Sequence, residues 1–280
     1  MAEAAVRELP GAWNFRDVAD GVSALRPARV FRSSELSRLE DDGRATLRRL
    51  GITDVADLRA TREVARRGAG LVPDGVEVHL LPFPDLSDRQ ADDDAETHGE
   101  APHEEAFRRL LEGEPDGSDA SVNETAVRFM IDEYRQFPTR NGAQRALRHV
   151  VTLLAAGRPV LTHCFAGKDR TGFVIATVLE AIGVDRDTIV ADYLRSNDAV
   201  VDLRSRIYEM IQQRSDTELT PEVVTFTEAR LSDAVLGVRA EYLAAARQTI
   251  DKEFGSLGGY LRDTGITEVD IDRLRGALLA

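Results

Sequence analysis

Apolar positions along the chain recur with two periods, and their succession predicts an α/β domain. Ala28–Arg32 and Ile52–Leu58 read as short strands, with Ile52, Asp54, Ala56 and Leu58 alternating against Val55 and Asp57. Leu39–Leu50 between them has helical spacing. Ser37 is placed to cap it, and Gly51 stands where a left-handed C-terminal residue is wanted. The turn Pro73-Asp74-Gly75 opens a third strand, Val76–Leu81. Val127–Phe137 and Asn141–Ala156 follow as helices, Gly157 ends the second, and Pro159–His163 is a buried strand. A further helix runs from about Arg170 to Ile182 and stops at Gly183. Strand, tight loop, helix is the arrangement by which a parallel sheet presents ligands at the carboxyl ends of its strands. Beyond Asp185 the spacing is helical to Ala280, with Asp185 a cap and Thr267 with Asp270 a capping box. Nothing repeats at a fixed period, so a solenoid is excluded.

Composition changes this picture in one place. The formal charge is −13 over 280 residues, and 14 acidic residues fall between Asp85 and Glu124 against three arginines there. Residues 85–124 are therefore expected to be an acidic, flexible excursion within a single domain spanning 1–280. With the acidity confined to that segment and no basic face, nucleic-acid binding is disfavoured. No apolar run approaches the roughly 20 residues needed to cross a bilayer, so no stable membrane insertion is expected. Met1–Pro10 alternates charge with alanine and lacks an apolar core. The chain is thus expected to be cytoplasmic, or secreted without a classical signal peptide.

The chain has one cysteine, Cys164, which rules out an intrachain disulfide. Its five histidines show no metal-ligand spacing, and neither metal nor other cofactor is expected. Around the cysteine stands His163-Cys164-Phe165-Ala166-Gly167-Lys168-Asp169-Arg170-Thr171-Gly172. Each position suits phosphomonoester cleavage. A free thiol is mostly protonated at neutral pH, so a thiolate nucleophile needs support. Inward-pointing amides between Phe165 and Arg170, and the N-terminus of the following helix, provide it. The same amides can cradle the three equatorial oxygens of a phosphoryl group in transfer, while Arg170 offers a planar two-pronged donor. Thr171 can hydrogen-bond the departing thiolate, and His163 is placed to orient the loop through its ring N–H. A nucleotide-binding P-loop is excluded, because Thr162 and Asp169 stand where Gly and Ser or Thr would be required. A phospho-binding module without turnover is the rival reading, and the presence of Cys164 beside Arg170 argues against it.

This loop, with Asn14-Phe15-Arg16-Asp17, Phe31-Arg32-Ser33-Ser34-Glu35-Leu36-Ser37-Arg38-Leu39, Asp57-Leu58-Arg59 and the late Gly255-Ser256-Leu257 and Tyr260-Leu261, resembles the atypical bacterial tyrosine phosphatases, in particular their secreted mycobacterial branch. The resemblance spans nearly the whole chain. It implies a phosphatase-like parallel β-sheet flanked by helices, and a helical lid over the pocket. It also implies activity on phosphotyrosine, phosphoserine/threonine and phosphoinositides. Phosphorylated proteins or phosphoinositides would then be the partners, the latter through transient contact with a membrane surface. By the motif match, Cys164 is the nucleophile, Arg170 the phosphate clamp, and Phe165, Ala166, Gly167, Lys168 and Thr171 line the phosphate.

Two aspartates compete as proton donor to the leaving group. Asp169 lies inside the loop, and Asp85 follows Leu81-Pro82-Phe83-Pro84, where a mobile acid loop can hang. Lys168 is informative because lysine occurs only there and at Lys252. A compact ammonium suits a second phosphate, and it equally well does no more than flank the pocket. Residues 199–238 carry Val200, Leu203, Ile207, Met210 and Ile211 at helical spacing, which fits either packed core helices or the lid. Arg16, Arg59 and Arg62 either add positive potential or pair with Asp17, Asp57 and Glu63.

Overall fold

Five short segments form the strands β1 (Arg16–Asp17), β2 (Val30–Ser33), β3 (Asp54–Asp57), β4 (Glu77–Leu80) and β5 (Val160–His163), and β2 and β5 open on the apolar pairs Val30-Phe31 and Val160-Leu161. The structure is a computed structural model, and it describes residues 8–83, 119–214 and 232–280. The strands make one sheet in the order β1-β2-β5-β3-β4, in which β1 is antiparallel to β2 and every other pair is parallel. Around it stand α1 (Asp41–Arg49), α2 (Thr61–Arg67), α3 (Asp119–Gln136), α4 (Asn141–Ala155), α5 (Asp169–Ala181) and α6 (Arg186–Leu194). They continue with α7 (Val200–Arg214), α8 (Asp233–Leu236), α9 (Ala240–Phe254), α10 (Leu257–Asp263) and α11 (Glu268–Leu278).

Alternation along each strand divides its side chains between two cores. Val30, Ala56 and Val160 face the larger one, with Leu147 and Val151 of α4 and Val174 and Val178 of α5. Phe31, Val55 and Leu161 face the smaller one, with Leu47 of α1 and Leu36 and Leu39. Each fully buried Val, Leu or Phe among them stabilises the fold by about 1.5–3 kcal/mol. Because both faces are covered, β3 is buried along its whole length rather than on alternate residues, as the sequence pattern suggested. The register sets Ser33, His163 and Asp57 side by side. The residues that follow each of them therefore meet at one edge of the sheet.

Several boundaries follow the sequence signals. Asp185 accepts from the Thr188 amide at 2.9 Å, and Thr267 with Asp270 forms a capping box. Two differ. Ser37 does not cap α1: the chain stays extended at Glu40, whose amide donates to the Pro10 carbonyl, and the helix begins at Asp41. The helix expected from Val127 begins at Asp119, so residues 119–124 of the expected flexible excursion are helical. The rest of that excursion, with Asp85, lies outside the described residues. Among the described residues no helix is long and apolar enough to cross a membrane.

Candidate active site

Residues Cys164–Lys168 join β5 to α5, and α5 begins at Asp169 with its N-terminus facing the loop. Each carbonyl of those residues accepts a hydrogen bond from outside the loop's hollow. Cys164 O receives His163 Nδ1 at 3.1 Å, and Phe165 O receives the Glu35 amide at 2.9 Å. Asn14 Nδ2 donates to the Ala166 and Gly167 carbonyls at 3.0 and 3.1 Å. Arg32 Nη2 donates to Gly167 O at 2.7 Å, and the Gly172 amide to Lys168 O at 3.0 Å. In a trans peptide the N–H points opposite its C=O. Carbonyls drawn outward therefore turn the amides of residues 165–169 toward the hollow, which is the arrangement an anion requires. Gly167 permits the curve: it has φ +67°, and a Cβ there would lie 2.0 Å from the Ser33 carbonyl oxygen.

The donors that hold the loop are themselves held by buried ion pairs. Asp192 accepts Arg16 Nε at 2.9 Å and Arg32 Nη1 at 3.1 Å, and Arg16 Nη1 fixes Asn14 Oδ1 at 2.6 Å. Burial alone would raise the Asp192 carboxyl, but Arg32 and Arg16 outweigh it and keep it low. Burial and the neighbouring Arg32 bring Arg16 down to about 10, still charged at neutral pH. Arg16 thus pairs with Asp192 and not with Asp17, which instead accepts the Ala19 and Ala28 amides. Arg59 does pair with Asp57, at 2.7 Å, and also with Glu35 at 3.1 Å. Burial holds His163 below its ordinary pKa, so the ring is neutral, and its Nδ1–H donates to Cys164 O.

Arg170 is aimed by Glu63. Its Nη1 donates to Glu63 Oε2 at 2.6 Å and to Leu58 O at 3.3 Å, and its Nη2 donates to Glu63 Oε1 at 3.1 Å. Glu63 is fixed in turn by the Ala60 amide at 2.8 Å. A guanidinium has five N–H donors. With these bonds made, Nε–H and the second Nη2–H remain together on one edge, which is the fork that binds two phosphate oxygens. Burial would lower the Arg170 pKa, yet Glu63 and Cys164 raise it, so the cation persists.

Lys168 and Asp169 meet each other. Lys168 Nζ lies 2.8 and 2.7 Å from the two Asp169 carboxylate oxygens and donates to the Gly237 carbonyl at 3.3 Å. Asp169 also accepts the Tyr134 hydroxyl at 3.0 Å. Thr171 Oγ1 is buried and has no hydrogen-bond partner among the described residues. Over the loop, Phe165 and Ala166 pack with Leu203 of α7 and Leu236 of α8, flanked by Trp13 and Ile207. The Arg67 guanidinium lies 4.0 Å above the Phe165 ring. Cys164 is buried with the larger core and is only 3% exposed.

Of the residues the sequence singled out, Cys164 to Lys168 form the loop and Asp169, Arg170 and Thr171 the first turn of α5; the sequence reading missed Glu63 as the partner of Arg170. Asn14, Arg16 and Arg32 were legible only as parts of family-like motifs, and no signal marked Asp192, Tyr134 or Tyr193. Far from the loop, donor atoms of Asp54, Glu77 and His79 lie within 4.8 Å of one another, a metal-compatible grouping that the sequence spacing did not disclose. Arg158 pairs with Asp54 at 2.6 Å and Glu77 at 3.4 Å, so a guanidinium already answers the negative charge there.

A family model described as the tyrosine phosphatase family matches residues 7–280. The chain is 75% identical over 280 residues to the triple specificity protein phosphatase PtpB of Mycobacterium tuberculosis, covering 98% of this chain and 99% of that protein. It is 31% identical over 260 residues to a putative tyrosine-protein phosphatase of Cupriavidus necator, covering 93% and 82%. A tyrosine-protein phosphatase of Nostoc commune is 28% identical over 255 residues, covering 89% and 74%.

Proposed function

The chain belongs to the tyrosine phosphatase family, and on that premise we propose that it hydrolyses phosphotyrosine, phosphoserine/threonine and phosphoinositide monoesters through a phosphocysteine. The observation that carries this reading is the outward capture of every carbonyl from Cys164 to Lys168, which leaves a ring of amides for the phosphoryl oxygens. Cys164 Sγ, as thiolate, attacks phosphorus. The S–P bond forms as the P–O bond to the leaving group breaks, and the leaving oxygen takes a proton from the Asp169 carboxyl. Water then attacks the phosphocysteine and returns a proton to Asp169. Inorganic phosphate departs as the S–P bond breaks, and Thr171 donates to the sulfur. Arg170 clamps two phosphoryl oxygens throughout. The three substrate classes agree with the name of the mycobacterial relative. Phenolate leaves more readily than an alkoxide, so the serine and inositol esters depend most on the acid. Asp85 is the competing acid, and comparing Asp169→Asn with Asp85→Asn on an alkyl phosphate decides between them.

The described parts of residues 199–238, among them α7 and α8, serve as the lid in this reading, and residues 215–231 lie outside the described residues. In this reading α7 and α8, which pack on Phe165 and Ala166 beside the 3%-exposed Cys164, withdraw to admit the substrate. Gly237 belongs to that segment, so opening also frees Lys168 from one partner and lets its ammonium meet a second phosphate of an inositol lipid. The test is phosphate release from a phosphotyrosine peptide, a phosphoserine peptide and a phosphoinositide, with chelator present and Cys164→Ser as control. Release from all three, lost in the serine variant, is expected. Binding without release from any would overturn the reading. Lys168→Met should lower phosphoinositide turnover more than phosphotyrosine turnover, and equal losses would remove the second-phosphate role.

A further inference from the structure

Beside Asp169, two tyrosines from different helices meet. Tyr134 of α3 and Tyr193 of α6 place their hydroxyls 2.6 Å apart, and Tyr134 reaches Asp169 Oδ1 at 3.0 Å. Both residues are almost wholly buried, at 0% and 1% exposure, so bulk water does not compete for these hydroxyls. Each phenol carries one hydrogen. Once Asp169 is ionised its carboxylate only accepts, so Tyr134 then donates to it. The Tyr134 oxygen is left as an acceptor, and Tyr193 supplies the donor. The chain has one direction: Tyr193 to Tyr134 to Asp169. Burial first, then the Asp169 charge, holds the Tyr134 phenol well above its ordinary pKa; burial and the same charge act alike on Tyr193, and both keep their protons.

We propose that Tyr134, oriented by Tyr193, is a positioning residue for Asp169. It holds the carboxylate against Lys168 and captures the negative charge that appears when Asp169 gives its proton to the leaving oxygen. The inference rests on the acid–base role of Asp169 proposed above. An acid whose conjugate base meets a preformed donor loses its proton with less reorganisation, and successive hydroxyls polarise one another. The benefit arises in proton transfer and not in substrate binding. It is therefore expected in kcat, and most strongly on leaving groups that need the proton. The packing supports a fixed geometry: the Tyr193 ring lies where a Cβ on Gly172 would meet it at 2.8 Å, and Tyr134 packs on Phe137 and Tyr242 with ring centroids 4.7 and 5.6 Å away.

The test is a kinetic cycle on an alkyl and an aryl phosphate. Tyr134→Phe, which keeps the ring, should lower kcat on the alkyl ester about tenfold or more, with a smaller loss on the aryl ester and KM within about twofold. Tyr193→Phe should have a smaller effect, and adding it to Tyr134→Phe should change nothing further. In an Asp169→Asn background, Tyr134→Phe should be silent. Tyr260→Phe removes another buried hydroxyl, one with no partner among the described residues, and should leave kcat unchanged. An undiminished kcat in Tyr134→Phe, or the same loss with and without Asp169, would overturn the positioning role. A fully active Asp169→Asn would instead overturn the acid–base reading on which it rests. If Tyr134→Phe fails to fold, Tyr193→Phe carries the same cycle: a loss on the alkyl ester that vanishes in Asp169→Asn supports the chain, and any other pattern refutes it.

Discussion

The floor and the roof of the phosphate loop are built from opposite materials. Beneath the loop, Arg16, Arg32, Arg59, Asp57, Glu35, Glu63 and Asp192 are all 5% exposed or less and held by charge-assisted hydrogen bonds, Glu63 to Arg170 and the others among themselves. Above it, Leu203 and Leu236 touch Phe165 and Ala166 through apolar contact, and Ile207, Tyr208 and Met210 are only half-buried. Polar ties between the two exist: Lys168 to Gly237 and Arg206 to Glu35 are long, at 3.3 and 3.4 Å, while Arg38 to Glu209 is short, at 2.7 Å, but lies at the exposed surface. Buried ion pairs add little net stability over apolar packing, yet losing one partner leaves an uncompensated charge. Such a floor admits one geometry. Apolar contact is non-directional, which suits the lid role proposed for the roof.

This contrast breaks first at Asp192. Asp192→Asn strands Arg16 and Arg32 and should cost about 3–5 kcal/mol of stability, read from urea unfolding. A cost below about 1 kcal/mol would mean that the floor tolerates loss of its central charge. Glu63→Gln should next lower kcat/KM about 100-fold on an aryl phosphate with the fold retained, because Arg170 loses its aim. On the roof, Leu203→Ala should cost about 2 kcal/mol or less, below many core leucines. It should also speed alkylation of Cys164 by a neutral reagent several-fold. Unchanged alkylation would make α7 fixed core and not cover. The smallest effect concerns pH. Burial depresses the His163 pKa, so the unfolded chain takes up a proton that the folded chain refuses. Stability therefore falls as pH drops below about 6.5, the unfolded value, and His163→Gln should flatten that part of the profile.

The floor was the harder half to read from sequence. Cys164, Arg170 and their loop are contiguous, and each demands a residue type that chemistry alone supplies. Glu63 lies 107 residues from Arg170 and Asp192 lies 160 from Arg32. No local period links such pairs; only the parallel register that sets Ser33, His163 and Asp57 level brings them to one edge. Strands and most helices were legible because their periods and glycine stops are local. The start of α1 was missed because Gly11 presses on the backbone of residues 38–40, a tertiary contact that outweighs the capping signal of Ser37. The helical start of α3 was missed because acidic composition was read as flexibility.

The most direct test of the central claim is acid quenching during turnover of a phosphotyrosine peptide, followed by mass spectrometry of the fragment holding Cys164. The account predicts a phosphoryl group on Cys164, more abundant in Asp169→Asn on a good leaving group and absent in Cys164→Ser. Sustained turnover with phosphate on another residue, or turnover surviving in Cys164→Ser, would contradict it.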